Sequence, residues 1–143
     1  MASSRFPGKP LADILGKSMI KRVWEKCLQV LPAEQILVAT DDKRIADHCK
    51  LYDMNFIMTS KSCTTGTDRI FEVSKKIKAK HYINVQGDEP LISKNDIKKI
   101  IKNVKNYPDH ILNAMTPIKR KSDYKKNSIP KVVVNRKNDL LYI

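Results

Sequence analysis

The sequence predicts an α/β fold with a mostly parallel sheet and helices on both faces. Segments with the features of strands alternate with segments of helical periodicity along most of the chain, and this alternation is typical of parallel sheets. The apolar run 35–40 suits a strand that is buried on both faces. The apolar residues of 17–31 recur at the spacing of one helix face. A chain of 143 residues is expected to form one domain, over 1–143.

The other elements are indicated by capping residues, apolar periodicity and turn residues. Helices are expected from Asp42 to about Leu51, near 68–78, and from Ser93 to about Val104. Strands are expected at 55–59, 81–85 and 111–116, and a hairpin joins 131–134 to 140–143 across Asn138-Asp139. Ligands of parallel sheets bind beyond the carboxyl ends of the strands, so the loops at those ends are the candidate site.

The chain is strongly basic, with a formal net charge of +13. Nucleic acid, small polyanions such as nucleotides, and lysines spread over solvated helix faces each account for such a charge. The lysines occur in pairs such as Lys75-Lys76 with few aromatic residues between them, which favours solvated helix faces. The charge alone therefore selects no ligand, and we expect no nucleic-acid partner.

Neither a membrane span nor a metal-binding cysteine motif is predicted. The longest apolar runs are a few residues, far below the roughly 20 needed to cross a bilayer, and the first residues lack the apolar segment of a secretory signal. Cys27, Cys49 and Cys63 are far apart and form no C-x-x-C spacing. We expect a cytoplasmic protein with reduced cysteines and no membrane partner.

The N-terminal loop carries two cations around a turn. Arg5 and Lys9 are four residues apart, with Pro7-Gly8 between them. A guanidinium fork and a mobile ammonium group suit the oxygens of a triphosphate. An ordinary surface turn with two solvated cations explains the same spacing, so both interpretations stay open.

Two further segments carry candidate ligand groups. Asp88 follows the strand predicted at 81–85, where a carboxylate is well placed to hold Mg²⁺, and Gly87 leaves room for a ligand before it. The alternative is that Asp88 caps the next turn. Residues 64–69 precede a helix, whose free amides can meet an anion or a base. Thr67 or Asp68 could instead be a plain N-cap, and Arg69 could contact a phosphate or pair with an acid.

Four motifs together resemble one enzyme family. They are SSRFPGKPL at 3–11, VATDD at 38–42, TGTDR at 65–69 and NVQGDEPLI at 84–92. In this order and rough spacing they are similar to the motifs of the 3-deoxy-manno-octulosonate cytidylyltransferases, the CMP-KDO synthetases. The resemblance covers nearly the whole chain, and the segment 84–92 is its most specific part.

The resemblance implies a fold, a reaction and partners. The fold is a Rossmann-like nucleotide-sugar transferase sandwich, usually a homodimer with a small β-extension at the dimer contact. The implied reaction transfers CMP from CTP to 3-deoxy-manno-octulosonate (KDO) or a related sugar acid with Mg²⁺, releasing pyrophosphate, in lipopolysaccharide biosynthesis. Positioning and charge neutralisation dominate such reactions.

The resemblance also implies roles for particular residues. Arg5 and Lys9 would bind the phosphates of CTP as catalytic residues, and Asp88 would hold Mg²⁺. Gln86 would lie by the sugar or the nucleotide. The substrate-binding loop would be Thr65, Gly66 and Thr67, near the cytosine, with Arg69 close to the site.

Some features of the family are not found in this chain. Family members have an apolar strand before the SSR motif and continue well beyond the segment that resembles 140–143, with a second metal-binding aspartate. We therefore expect a partial domain that lacks the central first strand and the C-terminal part, with little or no activity alone. The alternative function is a non-catalytic nucleotide-binding or assembly fragment.

Overall fold

Residues 8–142 are described by the structure, a computed structural model. The chain divides into two compact units, Met1–Asn106 and Tyr107–Ile143. Helices alternate with strands in the first unit, and its central strand pair is parallel, so the α/β class is confirmed. The expectation of one partial domain over 1–143 stays a prediction.

The first unit begins with an antiparallel hairpin and continues as alternating helices and strands. Its elements are β1 (Asp13–Ile14), β2 (Lys17–Ser18), α1 (Met19–Leu28), β3 (Val38–Thr40), α2 (Lys43–Leu51), β4 (Phe56–Met58), α3 (Gly66–Lys76) and α4 (Lys94–Asn106). Short 3-10 turns cover Lys9–Leu11 and Ala33–Gln35. All four predicted helices form, and the strands predicted at 35–40 and 55–59 form as the shorter β3 and β4.

Helix α1 starts two residues later than its periodicity predicted, because β2 occupies the preceding positions. The two-residue turn Leu15-Gly16 has positive φ at both residues, 52° and 79°, as the tight turns of hairpins require. Ser18 then caps α1 by accepting a hydrogen bond from the Lys21 N–H at 3.3 Å. The Ser18 hydroxyl also lies 2.7 Å from Nε2 of His48, which ties the start of α1 to α2.

The hydrophobic core lies between α1, α2 and the start of β4. Ile20, Trp24, Cys49 and Met54 form its buried cluster. Cys49 has no exposed surface, and burial raises the pKa of its thiol to about 11. The thiol is therefore protonated at neutral pH and acts as a small apolar group. Since α1 packs here, its start and the residues it contacts are fixed in position.

The strand predicted at 81–85 is wrong, although these residues alternate in exposure. Ile83 and Val85 are half-buried, whereas Tyr82 and Asn84 are exposed. Their backbone groups make no hydrogen bond to any other residue within 8–142. A strand requires a neighbouring strand for its ladder, and apolar alternation alone does not supply one.

One edge of β3 is unpaired within the described residues. Val38 donates to the Asn55 carbonyl at 2.8 Å, and the Thr40 carbonyl accepts from Thr59 at 2.9 Å. In a parallel ladder alternate residues bond to the same neighbour, so Leu37 and Ala39 direct their N–H and C=O groups away from β4. An open groove of about 2080 Å³ lies on that side, and Leu37, Ala39, Ile83 and Val85 are among its lining residues.

This geometry predicts an alternating pattern of amide exchange along β3. The N–H groups of Val38 and Thr40 bond to β4 and should exchange slowly, whereas that of Ala39 should exchange far faster. Residue-resolved hydrogen exchange by NMR measures the difference. Equal protection of Ala39 and its neighbours would show that the groove-side edge of β3 is paired in solution.

The second unit contains a 3-10 turn and the predicted hairpin. The turn is Lys121–Lys125, and β5 (Val133–Val134) pairs antiparallel with β6 (Leu140–Tyr142). Asn138 takes the left-handed conformation with φ 65°, which Asn tolerates better than most residues. The hairpin prediction is confirmed. The strand predicted at 111–116 does not form, and its first residue, Ile111, is fully exposed.

Membrane-spanning helices are absent from the part of the chain that the structure describes. None of its helices has both the length and the apolar character needed to cross a bilayer.

Candidate functional site

All four sequence motifs contribute residues to the mouth of the groove. Lys9, Asp41, Gly66, Gln86 and Asp88 all line it. Asp41 follows β3 directly, and the loop that leads to α3 follows β4. The site therefore lies beyond the carboxyl ends of the parallel pair, where ligands of such sheets bind. Arg5 belongs to the same predicted site but lies outside the described residues.

One charged contact in the site joins Lys9 to Asp88. The Lys9 ammonium donates to Oδ2 of Asp88 at 2.7 Å, across 79 residues of sequence. Their side chains are 37% and 45% exposed, so both reach solvent from the groove mouth. The contact puts a cation, which can bind phosphate oxygens, and a carboxylate, which can hold Mg²⁺, within reach of one ligand.

Asp88 fits a magnesium ion only as a single protein ligand. Among residues 8–142, no group of three or more acidic, His or Cys side chains is arranged to hold a metal. Mg²⁺ is commonly held by one or two carboxylates together with substrate phosphates and water, and an accessible carboxylate meets that requirement. Its partner Lys9 would then be released to the phosphates.

Gly87 lies close to a core residue of α1. A Cβ at this position would lie 2.9 Å from Cδ1 of Ile20, which is closer than two carbon atoms pack. The missing side chain therefore makes room for α1, and the expectation that it also leaves space for a ligand stays a prediction. Gly87 thus lies against the core, since Ile20 belongs to the buried cluster.

Helix α3 is capped by Thr65, the last residue of the loop before it. The Thr65 hydroxyl accepts from the Asp68 N–H at 3.1 Å, and the Asp68 carboxylate accepts from the Thr65 N–H at 2.9 Å, which is a capping box. The cap is thus Thr65, not Thr67 or Asp68. Hydrogen bonds from the Thr64 hydroxyl and from Thr65 lower the pKa of Asp68.

Gly66 lies against the segment that carries Gln86. A Cβ on Gly66 would be 3.2 Å from Nε2 of Gln86 and 3.3 Å from Nδ2 of Asn84. The structure therefore brings two of the predicted substrate-binding residues, Gly66 and Gln86, into contact. Thr67 is exposed on the first turn of α3 beside them.

Arg69 pairs with an acid, which is one of the two roles that the sequence left open. Its guanidinium lies 3.0 Å from Oδ1 of Asp41 and donates to the hydroxyl of Thr59. The Arg69 side chain is only 12% exposed. It braces α3 against the ends of β3 and β4, and the substrate-binding role given to it stays a prediction.

Sequence reasoning missed the role of Glu72 and the acid that pairs with Arg69. Asp41 was recognised within a motif at a strand end, but its pairing with Arg69 joins residues from separate elements. Glu72 accepts from the Ser60 N–H at 2.8 Å and from the Cys63 thiol at 3.3 Å. The available signal was its place one helical turn after Asp68, on the same face of α3.

The fold and the site define an α/β protein with a groove-mouth site suited to a phosphate-bearing ligand. A family model described as cytidylyltransferase matches residues 1–143, and the chain belongs to that family. The 3-deoxy-manno-octulosonate cytidylyltransferase of Escherichia coli is 40% identical over 140 residues, covering 98% of this chain and 57% of its own length. The mitochondrial enzyme of that name from Arabidopsis thaliana is 44% identical over 138 residues, covering 94% of this chain and 48% of its own length.

A solved structure shares the fold. It is a CMP:2-keto-3-deoxy-manno-octonic acid synthetase in complex with CTP, with a TM-score of 0.82 and 39% identity, matching 98% of this chain and 58% of that one. The Rossmann-like nucleotide-sugar transferase fold is thereby confirmed for the part that this chain covers. The chain spans about half the length of the curated relatives that it matches.

Proposed function

We propose that the protein takes part in the transfer of CMP from CTP to KDO or a related sugar acid. In this reaction the anomeric hydroxyl of the sugar attacks the α-phosphorus of CTP, and pyrophosphate leaves. The observation that carries the proposal is the contact between Lys9 and Asp88 at the groove mouth, in a chain whose relatives bear the name of this activity. The proposed role lies in lipopolysaccharide biosynthesis.

The phosphate end of CTP is assigned to three residues. Lys9 leaves Asp88 and binds the phosphates together with Arg5, where their charges offset the charge that develops on the departing pyrophosphate. Asp88 becomes free to hold Mg²⁺, which supplies charge neutralisation when it is bound. The exposure of both side chains supports this exchange of partners.

The base end of CTP is assigned to the loop before α3. Thr65, Gly66 and Thr67 lie near the cytosine in this proposal, and Gln86 lies by the sugar or the nucleotide. The contact of Gly66 with Gln86 supports a single pocket shared by the two segments. Arg69 acts close to the site, where its pairing with Asp41 limits its freedom.

Incubation of the purified chain with CTP, Mg²⁺ and KDO tests the reaction, with pyrophosphate release as the readout. We expect little or no turnover by the chain alone but measurable CTP binding by calorimetry. Binding without turnover agrees with a partial cytidylyltransferase domain and also with the alternative of a nucleotide-binding or assembly fragment. Absence of both would contradict the proposal, and robust turnover would contradict the expectation of inactivity.

A homodimer is proposed as the working assembly. The hairpin of β5 and β6 exposes Leu140, Leu141 and Tyr142 by 48%, 64% and 70%, and adjacent exposed apolar side chains are common at protein contacts. Light scattering coupled to gel filtration measures the oligomeric state, and a monomer at all concentrations would contradict this assembly. The cytoplasmic location stays a prediction, and the similar Arabidopsis protein is named as mitochondrial.

A further inference from the structure

Glu72 on α3 is bonded to the loop that precedes its own helix. Its Oε2 accepts from the Ser60 N–H at 2.8 Å and from the Cys63 thiol at 3.3 Å. Its Oε1 accepts from the Lys76 ammonium at 2.9 Å. One carboxylate thus holds two points of the loop 60–65, and the Glu72 side chain is only 23% exposed.

The ionisation states of these groups agree with that geometry. The Lys76 ammonium, followed by the Ser60 N–H and the Cys63 thiol, lowers the pKa of Glu72 to about 2. Glu72 is therefore a carboxylate near neutral pH and can only accept hydrogen bonds. Desolvation, followed by the bond to Glu72, raises the pKa of the Cys63 thiol, so the thiol keeps the proton that it donates.

A second carboxylate holds the other end of the same loop. The Asp68 Oδ2 accepts from the Thr64 N–H at 3.2 Å, from the Thr64 hydroxyl at 2.8 Å and from the Thr65 N–H at 2.9 Å. Asp68 and Glu72 are four residues apart, so they lie on one face of α3. The loop is fixed to this helix face at both ends, and it leads directly into Gly66.

We propose that Glu72 is a positioning residue that holds the loop 60–65 in place for the base of the bound nucleotide. This inference rests on the proposed function, which puts Thr65 to Thr67 near the cytosine. A loop that is ordered before binding loses less conformational entropy when the ligand arrives. Glu72 acts through the loop and does not touch the ligand itself.

The consequence is a defect in recognition with little change in global stability. Glu72 lies outside the buried cluster of Ile20, Trp24, Cys49 and Met54, so its replacement leaves the core intact. The released loop must be ordered by the ligand, which lowers affinity. Base selectivity falls as well, because a mobile loop presents no fixed hydrogen-bonding edge to distinguish cytosine from uracil.

The test compares Glu72→Leu, Glu72→Gln and Lys76→Met with the unchanged chain. Leu removes both acceptors at similar volume, and Gln keeps one carbonyl acceptor as a conservative rescue. Lys76→Met is the matched control because Lys76 bonds to Oε1, away from the oxygen that holds the loop. Calorimetry measures CTP and UTP binding with Mg²⁺, hydrogen exchange measures the Ser60 amide without ligand, and thermal unfolding measures stability.

We expect Glu72→Leu to accelerate exchange at Ser60, to weaken CTP binding about tenfold, as for the loss of one charge-assisted hydrogen bond, and to narrow the preference for CTP over UTP. The CTP affinity and the Ser60 exchange rate of Glu72→Gln should lie between those of Glu72→Leu and the unchanged chain. Lys76→Met should bind CTP as tightly as the unchanged chain does. Unchanged CTP affinity and unchanged Ser60 exchange in Glu72→Leu would overturn the role of Glu72. A weaker affinity that only follows a lower melting temperature would overturn it too, by assigning Glu72 to stability.

The proposed nucleotide site and the positioning role of Glu72 can be refuted separately. If the unchanged chain binds no CTP, the proposed nucleotide site is refuted, and the assignment of Glu72 to base recognition falls with it. If the unchanged chain binds CTP and the Glu72 variants bind it equally well, only the positioning role is refuted.

Discussion

Replacement of Asp88 by Asn is expected to abolish the Mg²⁺ dependence of CTP binding. Asn keeps the size of the side chain but removes the negative charge that makes a carboxylate a ligand for a hard cation. Calorimetry with CTP in the presence and absence of Mg²⁺ gives the measurement. In the unchanged chain Mg²⁺ should strengthen binding, and in Asp88→Asn the two titrations should coincide.

Replacement of Lys9 by Met should weaken the binding of CTP and strengthen the binding of Mg²⁺ alone. CTP binding should weaken by about 10- to 100-fold, because a charge-assisted hydrogen bond to a phosphate contributes about 1.5–3 kcal/mol. Binding of Mg²⁺ alone should strengthen, since Asp88 loses the ammonium group that lies 2.7 Å from its Oδ2 in the ligand-free protein. If the ion pair were purely structural, Lys9→Met would change neither the affinity for CTP nor the affinity for Mg²⁺.

The pair Lys17 and Glu25 offers a matched control for this experiment. Its ammonium and carboxylate are 2.8 Å apart, and the side chains are 45% and 36% exposed, which is close to the geometry of Lys9 and Asp88. Lys17→Met and Glu25→Gln should leave CTP binding unchanged, because exposed ion pairs contribute little to stability. Equal effects of the two pairs would contradict the assignment of Lys9 and Asp88 to the ligand.

The helices of this protein could be predicted because their signals are local. The apolar stripe of α1 and the caps of α2 and α4, at Asp42 and Ser93, depend only on residues within a turn or two. The strand predicted at 81–85 failed for the opposite reason. Its alternation of side chains is present, but a ladder depends on a second segment, and no sequence window around 81–85 reports whether one is there.

In the candidate site, too, the individual motifs could be predicted from the sequence, but the contacts between them could not. The motifs that carry Lys9 and Asp88 could be recognised, but their contact spans 79 residues and follows from the fold. Glu72 was missed because the partners that tie it to the loop are a backbone N–H and a thiol. Neither of these partners leaves a charge pattern in the sequence, and the i, i+4 pair with Lys76 looks like that of any solvated Glu on a helix.

Replacement of Trp24 by Ala is expected to have the largest effect on stability. Trp24 is 6% exposed at the centre of α1, in the cluster with Ile20, Cys49 and Met54. Removal of a buried aromatic side chain costs about 3–5 kcal/mol, whereas the free energy of unfolding of a whole domain is about 5–15 kcal/mol. Most of the stability of the first unit should therefore be lost, as measured by urea denaturation followed by circular dichroism.

Phe71→Ala is the control for Trp24→Ala, because Phe71 is an aromatic residue that is 61% exposed on α3. Its loss should change the free energy of unfolding by less than about 1 kcal/mol. Trp24→Ala should also weaken CTP binding, because Ile20 on the same helix contacts Gly87 beside Asp88, and a shift of α1 moves the carboxylate. Similar losses in the free energy of unfolding of the two variants would refute the assignment of Trp24 to a core around α1. They would also refute the argument that the packing of α1 fixes the position of Asp88.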